Sequence, residues 1–185
     1  MDLVKAAQLG REAAFLRLFD EHHLPLFRFA YRLTGSPADA DDIVQECFLQ
    51  LLRPECSYDP RRTSIRAYLF GVIRNQSLKR RRKNDLAGDA ITAGHAAGQA
   101  AAQGPSPENE VLRAELEDVV ARAVMQLPDT QRDVLILAHY EQMPLAEIAR
   151  VMALELGAVK SRLQRGRASL KETLATYVRG LEQQK

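Results

Sequence analysis

Five cations stand close together near the C-terminal end of the sequence. They are Lys160, Arg162, Arg165, Arg167 and Lys171, with no acid between residues 156 and 171. Lys160, Gln164, Arg167 and Lys171 recur at helical spacing with Ser161 and Arg165 beside them, while Val159, Leu163, Leu170 and Leu174 take the opposite face. A helix built this way offers cations to phosphates, and Gln and Arg side chains to base edges in a major groove. Ahead of it, Leu145, Ile148, Ala149 and Met152 predict a shorter helix, joined by a tight connection over residues 153–156. That order is helix-turn-helix. The charge alone would suit a solvated basic helix face; the spacing of the two helices favours DNA.

A second set lies further upstream. Tyr58, Arg61, Arg62, Thr63 and Ser64 precede a helix that carries Arg66, Tyr68, Arg74, Asn75 and Lys79 and ends in a basic run, Arg80 included, over 79–83. Such a run by itself often only stabilises a helix C-terminus. Aromatic and amide groups interleaved with cations are what single-stranded bases require, through stacking and edge hydrogen bonds. The acids Asp39, Asp41, Asp42 and Glu46 invite a metal or acid–base reading, since Asp42 and Glu46 lie one helical turn apart. No histidine accompanies them, and helix N-termini collect acids, so helix-end electrostatics and a basic protein partner fit better. His22 and His23, being adjacent, point to different sides of a helix and are read as structural. No glycine-rich phosphate loop, GxSxG, HExxH or zinc spacing of Cys and His occurs. The expectation is therefore a protein without an active site, cofactor or metal.

The elements that must position these groups are helical. The 185 residues are 46% apolar and 27% charged, enough for one large domain or two small ones. Charge is distributed unevenly: 15 basic and 10 acidic residues over 1–83, none and 2 over 84–107, and 11 and 12 over 108–185. Residues 84–107 are rich in Ala and Gly with few large apolar side chains, which predicts a flexible linker. On either side the apolar period is near 3.6, and no alternating strand pattern lasts. The fold class expected is all-α: two small helical domains, 1–83 and 108–185, on a tether. In the first, Pro25 is expected to break or kink the helix that starts near Arg11. Ser36, Pro37 and Asp39 open the next helix, with Ile43, Val44, Cys47, Phe48, Leu51 and Leu52 inward. Cys47 and Cys56 cannot make a disulfide framework, and Cys47 is read as a small buried apolar group. No apolar run approaches a bilayer span and the N-terminus lacks a signal-peptide core, so a cytoplasmic protein without membrane insertion is expected.

These residues resemble a known family. FRFAYRLTGSPADADDIVQECFLQLL is similar to the core-polymerase-binding part of bacterial extracytoplasmic-function (ECF) sigma factors. SIRAYLFGVIRNQSLKRRRK resembles their promoter-melting helix, and LPDTQRDVLILAHYEQMPLAEIARVM with GAVKSRLQRGRASL their helix-turn-helix. The likeness covers roughly residues 11–83 and 108–176. It implies a two-domain initiation factor, sigma domain 2 followed by sigma domain 4, working with the β′ and β subunits of core RNA polymerase on promoter DNA. Asp39, Asp41, Asp42, Gln45, Glu46 and Phe48 would lie in the helix that docks on the β′ coiled coil. Tyr58, Arg61, Arg62, Ser64, Tyr68, Arg74, Asn75, Lys79 and Arg80 would serve the −10 element, the loop at 58–64 accepting a flipped base. Lys160, Ser161, Gln164 and Arg165 would contact the −35 element, with Arg162 and Arg167 mainly on phosphates. An anti-sigma factor as partner, and a monomer when free, are further implications. Three positions depart from the pattern: Ala153 where glycine is usual in the bend, Ala158 where threonine is usual, and Tyr68 where tryptophan is commoner. None removes a required charge, so they bear on the −35 preference. Two rivals remain at this point. A helix-turn-helix regulator predicts a mixed α/β receiver in the N-terminal half, and a nucleic-acid enzyme predicts clustered metal-binding residues.

Overall fold

The computed structural model describes residues 3–87 and 107–182. Eight helices account for them: α1 (Leu3–Gln8), α2 (Glu12–Thr34), α3 (Pro37–Leu52), α4 (Ile65–Ala87), α5 (Pro107–Met125), α6 (Asp129–His139), α7 (Leu145–Met152) and α8 (Leu156–Glu182). Among the described residues there is no strand, in keeping with the all-α expectation. The linker read over 84–107 lies almost wholly outside the described residues; its first four residues extend α4 and Pro107 opens α5.

α1 was not expected from sequence. Val4, Ala6 and Ala7 bury its inner face, and the Gln8 side chain donates to the Leu51 carbonyl at 2.9 Å. Gly10, at φ 77°, then turns the chain into α2.

The break expected at Pro25 does not occur, because α2 runs through it. Proline removes one backbone hydrogen bond and crowds the preceding turn, a cost of about 3 kcal/mol in a helix interior. Leu18 before it and Leu26, Phe29 and Ala30 after it are all 0–1% exposed. Burying large apolar side chains contributes roughly 1.5–3 kcal/mol each, which outweighs the lost bond and keeps both halves in one helix. Gly35, at φ 71°, ends α2 by donating its N–H to the Tyr31 carbonyl at 2.8 Å. Ser36 then caps α3 as expected: its Oγ accepts from the Asp39 N–H at 3.2 Å, and Pro37 takes the first turn.

Phe29, Leu51, Leu69, Phe70 and Ile73 of α2–α4 and Val134, Ile136, Leu137, Ile148 and Val159 of α6–α8 belong to one continuous cluster of buried apolar side chains. Gly166 is buried where α8 crosses α6; a Cβ there would stand 3.4 Å from the Gln131 carbonyl oxygen, so glycine sets how closely the two helices approach. The two halves also meet, α7 and α6 lying against α4 and α2.

Candidate nucleic-acid interface

The helix-turn-helix is α7, a three-residue turn and α8. Ala153 closes α7 in the left-handed region, φ 51° and ψ 50°, with its N–H bonded to the Arg150 carbonyl at 3.2 Å. The Leu154 N–H reaches back to Ala149 at 2.9 Å, completing the paired bonds that finish a helix when the next residue turns left-handed. Alanine there carries a Cβ that glycine would spare, a strain of roughly 1–2 kcal/mol, partly offset by glycine's freer unfolded chain. Ala153→Gly is expected to raise stability by roughly 0.5–1 kcal/mol, read as a shift of the urea midpoint with unchanged slope. A midpoint that falls would refute the strain.

On α8, Val159, Leu163 and Gly166 turn inward, while Lys160, Ser161, Gln164 and Arg165 are all exposed. At 100° per residue, Ser161, Gln164 and Arg165 occupy the middle of the exposed arc. Arg162 flanks one edge, and Lys160, Arg167 and Lys171 the other. Among the described residues, Arg165 is held by its own helix alone, its Nε donating to the Ser161 carbonyl at 3.4 Å. Arg167 instead donates to Nε2 of His139 on α6 at 3.0 Å, which fixes it at the rim. Base-reading candidates and phosphate candidates are thus separated on one helix.

In the N-terminal half, Ser64 opens α4 by accepting from the Ala67 N–H at 3.1 Å. This capping role was not foreseen. Tyr58 and Tyr68 face one another across the loop mouth, ring centroids 5.3 Å apart and tilted by 57°. The Tyr68 hydroxyl lies 3.5 Å from the Cys56 sulfur. Burial and that contact push its pKa up to about 12, so the ring stays neutral. Arg61 and Arg62 are exposed on the same loop. Tyr68, Asn75 and Lys79 fall on one line along α4, and Arg82 continues it.

Arg74 and Arg80 are placed differently. Arg80 is tied within its own domain, bridging Asp39 and Asp42 at 2.8 Å each. The basic partner expected for those acids is therefore, in part, a residue of the same chain. Arg74 pairs with Asp133 of α6 at 2.7 Å, and the Asp133 side chain is 1% exposed.

Asp41, Asp42, Gln45 and Glu46 line the outer side of α3. Leu49, which sequence reasoning passed over, continues this stripe at 55% exposure; its spacing from Gln45 and Glu46 was the available signal. Phe48 does not lie on it. Its ring is buried against Phe15 and Phe19, with centroids at 6.1 and 5.2 Å, so it backs the acidic face from beneath. Cys47 is buried too, and burial pushes its thiol up to about 12, consistent with a small core residue. His22 is buried with its pKa lowered by desolvation, and His23 stacks on Phe19 at 4.5 Å.

A helix-turn-helix with an exposed reading arc, joined to a helical domain bearing a basic-aromatic face and an acidic face, defines a DNA-reading factor with a protein partner. Residues 18–86 match the family described as Sigma-70 region 2, and residues 117–170 match Sigma-70, region 4. The chain is 30% identical over 177 residues to ECF RNA polymerase sigma factor SigW of Bacillus subtilis, covering 92% of this chain and 94% of that protein. It is 36% identical over 168 residues to ECF RNA polymerase sigma factor SigL of Mycobacterium tuberculosis, covering 88% and 90%. Among solved structures, CnrH in complex with the cytosolic domain of CnrY superimposes with a TM-score of 0.67 at 26% identity, over 94% of this chain and 96% of that one. RpoE of Bartonella quintana gives the same TM-score at 22% identity over 87% and 96%, a likeness of fold.

The chain belongs to the sigma-70 family, in its ECF branch. It directs promoter-specific initiation by core RNA polymerase and is not an enzyme in its own right. The regulator rival falls with the all-helical N-terminal half, which matches sigma region 2. Among the described residues no helix is long and apolar enough to cross a membrane.

Proposed function

We propose that the work of initiation is divided among three faces of this chain. The outer side of α3, through Asp41, Asp42, Gln45 and Glu46 around exposed Leu49, docks on the β′ coiled coil. Its acids supply orientation and on-rate more than affinity, and Leu49 supplies apolar contact at the centre. Arg80 engages both Asp39 and Asp42, but Asp42 stays 61% exposed while Asp39 is 24% exposed; Asp39 and the interior Phe48 shape the face rather than line it.

The loop at 58–64 and α4 serve the −10 element. The rings of Tyr58 and Tyr68, packed on one another at 5.3 Å and both part-exposed, offer an aromatic surface on which an extruded base can stack, offsetting the few kcal/mol that unstacking costs. Asn75 contacts the strand, and Arg61, Arg62 and Lys79 hold its phosphates. α8 reads the −35 element through Ser161, Gln164 and Arg165, with Lys160, Arg162 and Arg167 on the backbone.

One observation carries this reading: the polar residues of α8 fall on the exposed arc while Val159, Leu163 and Gly166 hold its other side to α6 and α7. The domains are 1–83 and 108–185, the free chain is a monomer, and it acts in the cytoplasm. CnrH was solved with the cytosolic domain of a second protein; an anti-sigma factor covering both domains is the corresponding partner here. Purification from the native cell without any stoichiometric inhibitor would count against that partner.

The test is in vitro transcription with purified core RNA polymerase on a library of random promoter sequences, read by sequencing the transcripts. Discrete starts that need this protein, sharing two elements at fixed spacing, are expected. Tight binding to DNA alone without initiation would overturn the assignment.

A further inference from the structure

The cations of this chain are held in two ways. In the N-terminal half, Arg80 bridges Asp39 and Asp42 at 2.8 Å each, and Arg53 pairs with Glu46 at 3.2 Å. A carboxylate holds an arginine through charge-assisted bonds but offsets its charge. The reading helix is different. Among the described residues, none of Lys160, Arg162, Arg165, Arg167 and Lys171 pairs with a carboxylate.

Arg167 is held all the same. Its neighbour Gly166 lies against α6, where a Cβ would stand 3.6 Å from the Leu135 side chain, and His139 follows Leu135 by one turn. Arg167 donates its Nε–H to Nε2 of His139 at 3.0 Å, and both side chains are exposed. Nε2 accepts through a lone pair that only the uncharged imidazole offers there. The guanidinium is therefore fixed by a neutral partner and keeps its full charge. The bond engages Nε alone, so the paired Nη groups still point a fork of donors at a phosphate.

We infer that His139 is a positioning residue for the −35 element: it orders the Arg167 guanidinium before DNA arrives, without neutralising it. This rests on the assignment of Arg167 to −35 phosphates. A free arginine loses rotamer freedom when it meets a phosphate, and that loss weakens binding. An arginine already ordered in the free chain loses less. A carboxylate at position 139 would order Arg167 equally well, yet leave little charge for DNA.

The test is fluorescence anisotropy of full-chain variants on the cognate −35 duplex from the promoter library, at several salt concentrations. His139→Ala should weaken binding about three- to tenfold with the salt slope unchanged, since the cation still reaches its phosphate but must be ordered on binding. His139→Gln, whose side-chain carbonyl can accept the same N–H, should recover binding to within about twofold. His139→Glu should leave the urea midpoint unchanged, yet bind about tenfold or more weakly with a slope lower by about one phosphate contact. In an Arg167→Ala background, His139→Ala should change nothing further.

If Arg167→Ala alone leaves affinity and salt slope unchanged, Arg167 does not touch phosphate, and the inference fails with that assignment. If Arg167→Ala weakens binding and His139→Ala does not, positioning is overturned while the assignment stands. A loss in His139→Ala that glutamine does not recover, or that persists without Arg167, would show His139 acting by another route and overturn it as well. Binding by His139→Glu as tight as that of the unmodified chain would overturn the part given to the neutral acceptor.

Discussion

Asp133→Asn is expected to gain stability over the unmodified chain as pH rises, by up to about 3 kcal/mol between pH 4 and pH 7. Burial raises the Asp133 carboxyl from its ordinary 3.8 to about 6, against the pull of Arg74 and with repulsion from Asp129 added. Its Oδ1 is buried without a hydrogen-bond partner, so the ionised form is only half accommodated. Between those two values the folded chain binds a proton that the unfolded chain has released. Stability from this group is therefore fully present below about pH 4 and lost as pH rises through 6. Two pH units at 1.36 kcal/mol each give the stated size. Asparagine never ionises, so it escapes the loss. The carboxylates paired elsewhere, such as Asp39 and Asp42 on Arg80, are common to both chains and cancel in the difference. Urea titrations of the two proteins at pH 4.5, 6 and 7.5 measure it. A difference that stays flat across that range would show that Arg74 compensates the buried charge in full.

The contacts between the two halves belong to tertiary structure and were not legible in the sequence. Arg74 and Asp133 are 59 residues apart, and Ser64 and Glu147 are 83 apart. Nothing in the period or charge of either segment announces that one will meet the other. The helical elements were legible because each depends on local spacing. The apolar period fixed the inner faces of α3, α4 and α8, and Ser36 with Pro37 announced the start of α3. Pro25 misled because its local cost is real but smaller than the burial on both sides. α1 was missed because six residues with small apolar side chains make too short a pattern to stand out from a loop.

The site was legible unevenly for the same reason. Residues that must face solvent on one helix, such as Lys160, Gln164 and Arg165, follow from helical spacing alone. Those whose role depends on a neighbouring element do not. Asp39 and Asp42 meet Arg80, Phe48 turns inward against Phe15 and Phe19, and Ser64 caps α4. Leu49 was passed over, although its spacing from Gln45 and Glu46 puts it on the outer side of α3.

The reading helix permits a sharper test than loss of binding. Arg165→Ala is expected to weaken binding to the cognate −35 duplex by about 1–3 kcal/mol, roughly 10- to 100-fold, if its guanidinium meets a guanine through both hydrogen bonds. Its effect on a scrambled duplex should be small, because it sits in the middle of the exposed arc and, among the described residues, bonds only to the Ser161 carbonyl, at a long 3.4 Å. Arg162→Ala should weaken both duplexes alike and reduce the salt dependence by about one phosphate contact, since Arg162 stands at the arc's edge. Fluorescence anisotropy on the two duplexes at several salt concentrations separates the roles. Charge loss is the same in both variants, so any difference between them comes from position on the helix. Equal losses on cognate and scrambled DNA for both variants would mean that α8 grips the backbone only, with base choice made elsewhere.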